Sequence, residues 1–318
     1  MNASGDGVST AGGKNALTVL VFVGALIVTG GNAVAIRYSN RELDPLFGAA
    51  LRFALAALVF GAVMAAQRTA FPRGRQLVGA LLYGVLNFGL AYGFIYEGLR
   101  TVHAGLAQIV LAAAPLATIL LAAAFRIEVF RWRRLGGTLV AILGIAVISG
   151  IGTSMLSASS LVGMAAMVAA AVSIAGGAVA VKRFPRAPAA SLNAIGMGVG
   201  ALLLALASAA SGERWALPTQ GTTLVAVGFL IVSTVIIFAA FLFVLRRWSA
   251  SATTYQFLLI PIPSVILSSL LDAEPLTPTL FLGGLLVVGG AYAGMHTRRP
   301  GRRRSGASEG RKRQRVTS

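Results

Sequence analysis

Two glutamines, Gln108 and Gln256, lie 148 positions apart, and each is followed seven residues later by a proline, Pro115 and Pro263. A proline inside an apolar helix lacks the amide proton and frees the carbonyl one turn back. A primary amide nearby adds a donor and an acceptor. Such groups hold a polar solute by hydrogen bonds alone, without covalent chemistry. Pro261 loosens the second stretch further. Two readings stand: a solute cavity beside two broken helices, or kinks stapled to neighbouring helices through the amides. Tyr83 and Asn87 are four residues apart and share a helix face. Together with Asn32, Tyr92 and Tyr255 they are the other candidates to line a polar pocket for a small zwitterion. The rival for Asn87 is an interhelical hydrogen bond, and for Tyr92 and Tyr255 ordinary packing.

Arg52 and Glu97 are the ionisable residues expected below the headgroups, and His103 falls at the same level. An arginine in hydrocarbon demands a partner or a route to the surface. The three form either a structural ion pair or a gate that titrates through the histidine. Other chemistries are excluded by absence. There is no cysteine, and the two histidines, His103 and His296, stand apart from any carboxylate cluster, so no metal or cofactor is expected. Ser173, Ser233 and Ser264 have no histidine on a nearby span, so no catalytic residue is assigned. No carboxylate lies at the middle of a span, which disfavours proton exchange against a cationic drug and favours a zwitterionic or neutral solute.

These residues sit in a chain that is 57% hydrophobic and 11% charged, with a mean hydropathy of +0.82. A soluble domain carries about 25% charged residues. Apolar runs long enough to cross ~30 Å of hydrocarbon fall near 16–36, 45–66, 76–99, 101–124, 135–152, 160–181, 190–210, 220–245, 250–271 and 278–296. Of the 27 Lys and Arg residues, 22 lie in the two tails and the even-numbered loops, four lie in the odd-numbered loops, and Arg52 completes the count. That bias places both termini in the cytoplasm. It also accounts for the net charge of +18 without nucleic acid: no aromatic residue interleaves with the basic cluster at 297–318, which reads as an anchor to an anionic inner leaflet.

The ten spans are five, repeated. Gly31-Asn32-Ala33-Val34-Ala35-Ile36-Arg37 returns 145 positions later as Gly176-Gly177-Ala178-Val179-Ala180-Val181-Lys182, and Glu128, Gly137 and Gly144 return 146 positions later as Glu274, Gly283 and Gly290. A five-span repeat begins its second copy from the opposite side of the membrane, so the halves are inverted. Inverted halves give two near-equivalent states open to opposite sides. The expected architecture is all-α and integral to the membrane: ten transmembrane helices as two inverted five-helix repeats. Residues 1–15 form a disordered tail, 16–153 and 159–296 the repeats, and 297–318 the basic tail.

Gly31 to Arg37, then Pro45 and Ala50-Leu51-Arg52-Phe53, resemble the opening of an EamA-type domain. The stretch from Pro115 to Gly144 resembles its close, and Pro263, Glu274, Gly283 and Gly290 repeat that close. The resemblance covers nearly all of residues 16–296 and implies membership of the drug/metabolite transporter superfamily. It implies export of small metabolites such as amino acids across a bacterial cytoplasmic membrane. Efflux of drugs or uptake of metabolites on the same fold is the alternative, and an intramembrane enzyme or a channel is disfavoured. The second copy departs from the pattern at Gly177, where the first has Asn32, and no arginine there matches Arg52. The site is therefore expected to be lopsided.

Overall fold

The computed structural model describes residues 6–99, 110–149, 158–263, 266 and 278–295. Among them the chain forms ten helical rods and no strand. The first repeat supplies α1 (Asp6–Ser39) and α2 (Pro45–Ala66). Next comes α3, which runs Arg75–Gly84, widens into a π-helical stretch at Val85–Leu90 and resumes as Ala91–Leu99. Then follow α4 (Ala114–Ala124) and α5 (Trp132–Ser149). The second supplies α6 (Ala158–Arg183), α7 (Ala189–Ala210) and α8 (Gly221–Arg247). The rod α9 is broken into Ala250–Thr254 and Gln256–Leu259, and α10 is Pro278–Met295. Helix α1 begins ten residues before its apolar run. Residues 6–15 continue the helix at its N-terminal end, where adding a residue to an existing helix needs no new nucleus.

Five helices, α2, α3, α6, α7 and α8, are long and apolar enough to cross a membrane by length and composition. Outward-facing side chains on these helices and on α10 are greasy: Leu58, Val162, Leu202, Val225, Phe281 and Leu285 are all more than half exposed. That pattern suits lipid and would be a liability in water.

The pairing of helices shows the inversion directly. Helix α5 packs on α10 and α2 on α7, each rod against its own counterpart, while α1 packs on α8 as α6 packs on α3. The α5–α10 contact is reciprocal. A Cβ on Gly137 would lie 2.6 Å from the Gly290 carbonyl oxygen, and one on Gly144 would lie 2.6 Å from that of Gly283. Each glycine therefore faces the copy of the other, which requires antiparallel rods about a two-fold axis. Only glycine lets two backbones approach this closely.

At one end of the bundle, carboxylates cap helices across the repeat boundary. Glu213 accepts from the backbone N–H groups of Leu46 (3.1 Å) and Phe47 (2.8 Å) in the first turn of α2. Asp44 accepts from the N–H of Arg214 at 2.7 Å. Glu42 accepts from the Thr219 hydroxyl at 2.8 Å and from the Gln220 N–H at the start of α8. Free N–H groups at a helix start favour an anion. The Thr219 hydroxyl bond, aided by backbone donors, holds the Glu42 carboxyl below its ordinary value of 4.5. A group with a lowered pKa stabilises the fold above its unfolded value and loses that contribution as pH falls through the folded one. We expect Glu42→Gln to melt below the wild type at neutral pH, and the gap to close as the pH is taken below 4.5. Melting curves across pH check this; a constant gap would contradict it.

At the opposite end, Glu128 pairs with Arg134 (2.6 Å) and accepts from the Ser251 hydroxyl (2.8 Å), tying the α4–α5 turn to the start of α9.

Candidate functional site

Between the two repeats lies a cavity of about 80 Å³. Its polar wall is Thr29 and Asn32 from α1, Arg52 from α2, Asn87 and Tyr92 from α3, Thr234 from α8 and Gln256 from α9. Its apolar wall includes Ile174, Phe238, Phe241 and Phe257. Larger depressions, of about 830 and 510 Å³, lie along α1–α8 and α2–α7. Their described linings carry no charged side chain and little polar surface, so they suit lipid chains rather than a polar solute.

The geometry follows from the two-fold. Ser233 donates a hydrogen bond to Asn32 Oδ1 at 2.7 Å where α8 crosses α1. At the equivalent crossing of α3 and α6, Asn87 lies against Gly177. Residues 32 and 177 are the repeat pair, so Asn87 stands where the other half has Ser233. Each crossing accommodates one asparagine and one small residue, on opposite partners. A Cβ on Gly177 would lie 2.9 Å from that of Asn87, which explains the loss of asparagine in the second copy.

Asn87 sits within the π-helical stretch, which holds one residue more than the matching part of α8. Before it, Leu77 and Val78 correspond to Leu224 and Val225, 147 positions on, whereas after it Leu99 corresponds to Leu245, 146 on. Single π turns are frequent at functional sites because they redirect a side chain while sparing the rest of the helix. The hydroxyls of Thr29 and Thr234 donate back to Ala25 (2.6 Å) and Leu230 (2.5 Å) on their own helices. Such bonding fixes the rotamer and leaves the oxygen as an acceptor.

Arg52 is 3% exposed, and its Nε has no hydrogen-bond partner. Its guanidinium lies over the rings of Phe53, at 4.6 Å, and Tyr92, at 5.2 Å. Phe53 in turn packs edge-on against Phe88 and Tyr92. A cation over aromatic faces is stabilised by about 2 kcal/mol when desolvated, which offsets part of the cost of an arginine at this depth.

Of the residues singled out from the sequence, Asn32, Arg52, Asn87, Tyr92 and Gln256 converge on this cavity. Tyr83 does not: it is fully buried against Gly196 and Phe88, facing α7. Nor does Tyr255, which bonds Thr138 (2.8 Å) and the Arg134 carbonyl (3.0 Å), stapling α9 to α5. Glu97 is exposed and outside the cavity. Gln108 and His103 lie outside the described residues. Pro115 opens α4 directly after a turn at Ala112 and Ala113. Pro261 and Pro263 follow a turn at Ile260 that interrupts α9 just beyond Gln256. Thr29, Thr234 and the role of Ser233 were missed. Carrying the repeat spacing from Asn87 into α8 points to Ser233 and Thr234, and that was the available signal.

The chain as a whole is similar to known proteins. An archaeal protein of Archaeoglobus fulgidus, described as an uncharacterized transporter, is 29% identical over 262 residues, covering 81% of this chain and 91% of its own. The inner membrane transporter YedA of Escherichia coli K12, also described as uncharacterized, is 28% identical over 266 residues, covering 82% and 85%. A solved crystal structure shares the fold at a TM-score of 0.74 and 22% identity, covering 87% of this chain and 96% of that one. The model of one family, the EamA-like transporters, matches twice, over residues 16–150 and 161–293. Two matches in tandem, on halves that the glycine crossings relate by a two-fold, establish that the chain belongs to the EamA-like transporter family.

Proposed function

We propose that this transporter exports small metabolites, amino acids foremost, by alternating access, with both termini in the cytoplasm and the basic tail on the anionic inner leaflet. The observation that carries the reading is the cavity. Its polar groups come from both repeats and meet where α1 crosses α8 and α3 crosses α6. A site on the pseudo-two-fold keeps its contacts while either half swings, so one set of residues faces each side in turn. The excess of Lys and Arg in the even-numbered loops supports the orientation.

The test is the extracellular metabolite profile of cells overproducing the protein, compared with a null strain in minimal medium. Selective accumulation of amino acids outside is the expected result. An unchanged exterior, with depletion of a supplied compound, would replace export by uptake. Gln256→Ala is expected to cut that accumulation at least about fivefold, because a missing partner for a buried solute group costs about 1–3 kcal/mol. Membrane yield should be unchanged, which an immunoblot of the membrane fraction checks.

A further inference from the structure

Resting on the reading of the central cavity as the solute site, we propose that the transported solute carries a single carboxylate and that Arg52 is its anchor. Arg52 lines the cavity and is buried among aromatic rings, and its Nε has no hydrogen-bond partner. No carboxylate among the described residues forms an ion pair with it, and no acidic side chain lines the cavity. A buried arginine with an open donor is poised for a planar anion, which the guanidinium fork binds through two parallel hydrogen bonds.

The charge balance selects the anion. Arg52 is the one cation in the described lining, so it neutralises one negative charge. A phosphate ester carries about −1.5 to −2 at neutral pH, and the described lining holds no second cation to pair with the excess negative charge. A carboxylate matches. The remaining polar groups, Asn87, Gln256 and the two threonine oxygens, are neutral and fit an amine or hydroxyl on the same small molecule.

The test uses purified full-length protein and matched pairs: propionate against propionamide, and alanine, leucine and phenylalanine against their amides, all at equal ionic strength. The acids are expected to raise the unfolding midpoint by about 2–4 °C at saturating concentration, and the amides to have no effect. In Arg52→Gln the acids should lose their effect. Because that variant could fold poorly, the acid-to-amide ratio on the unmodified protein stands as an independent readout. Equal stabilisation by acids and amides, no stabilisation by any acid, or full stabilisation of Arg52→Gln would each overturn the proposal. Acid-selective stabilisation without metabolite export would instead overturn export and leave the anchor standing.

Discussion

Alanine at Gly290 is expected to destabilise the protein, and alanine at the adjacent Gly289 to leave it intact or slightly firmer. The Cβ added at 290 would lie 2.5 Å from the Gly137 carbonyl oxygen and 2.6 Å from the Ala141 amide nitrogen, whereas the one added at 289 meets nothing within 4 Å. Backbone cannot turn aside as a side chain can, so α5 and α10 must separate. The cost is about 2–3 kcal/mol, the upper range for overpacking. Alanine improves helix propensity by about 1 kcal/mol over glycine at both sites, so the two changes should have opposite signs. Melting of the purified variants decides it. Equal melting temperatures would mean that the two helices do not meet as the two-fold requires.

The second large effect is expected at Gly177→Asn, which restores the motif of the first repeat. Sequence symmetry suggests a harmless change, but the packing says otherwise. The new Cβ would fall 2.9 Å from that of Asn87. Asn87 must then leave the cavity wall, with transport falling at least tenfold and stability by about 1–3 kcal/mol. The double variant Gly177→Asn/Asn87→Ser copies the Asn32–Ser233 pair of the other half and should regain the lost stability. Transport should stay impaired, because an amide would then reach the site from α6 instead of α3. A double-mutant cycle measures the coupling. Additive losses would show that the two positions do not touch.

These examples also mark what the chain disclosed before its fold was known. Repeat spacing and apolar runs were enough for ten rods and their inversion, because each depends on periodicity along one strand of text. The departure at Gly177 was visible too, but its cause was not: Asn87 sits 90 positions away in the other repeat. The π-helical stretch was hidden because one extra residue in an apolar helix leaves hydrophobicity unchanged. Tyr83 and Tyr255 were drawn to the site by residue type, yet a tyrosine in a bundle serves packing and stapling equally well. Arg52 was expected to seek a carboxylate; instead the aromatic rings of Phe53 and Tyr92 surround it. Counting charges along the sequence cannot reveal such a setting.

Alternating access is the central functional claim, and the chain suits its most direct test because it contains no cysteine. Thr234, 1% exposed and on the cavity wall, can be replaced by the similarly sized cysteine as the sole thiol. A membrane-impermeant maleimide is then applied separately to each face of sealed, oriented vesicles. The account predicts slow labelling from both faces, while a large impermeant dye stays on its own side. Labelling from one face alone under all conditions, or passage of the dye through the protein, would contradict it.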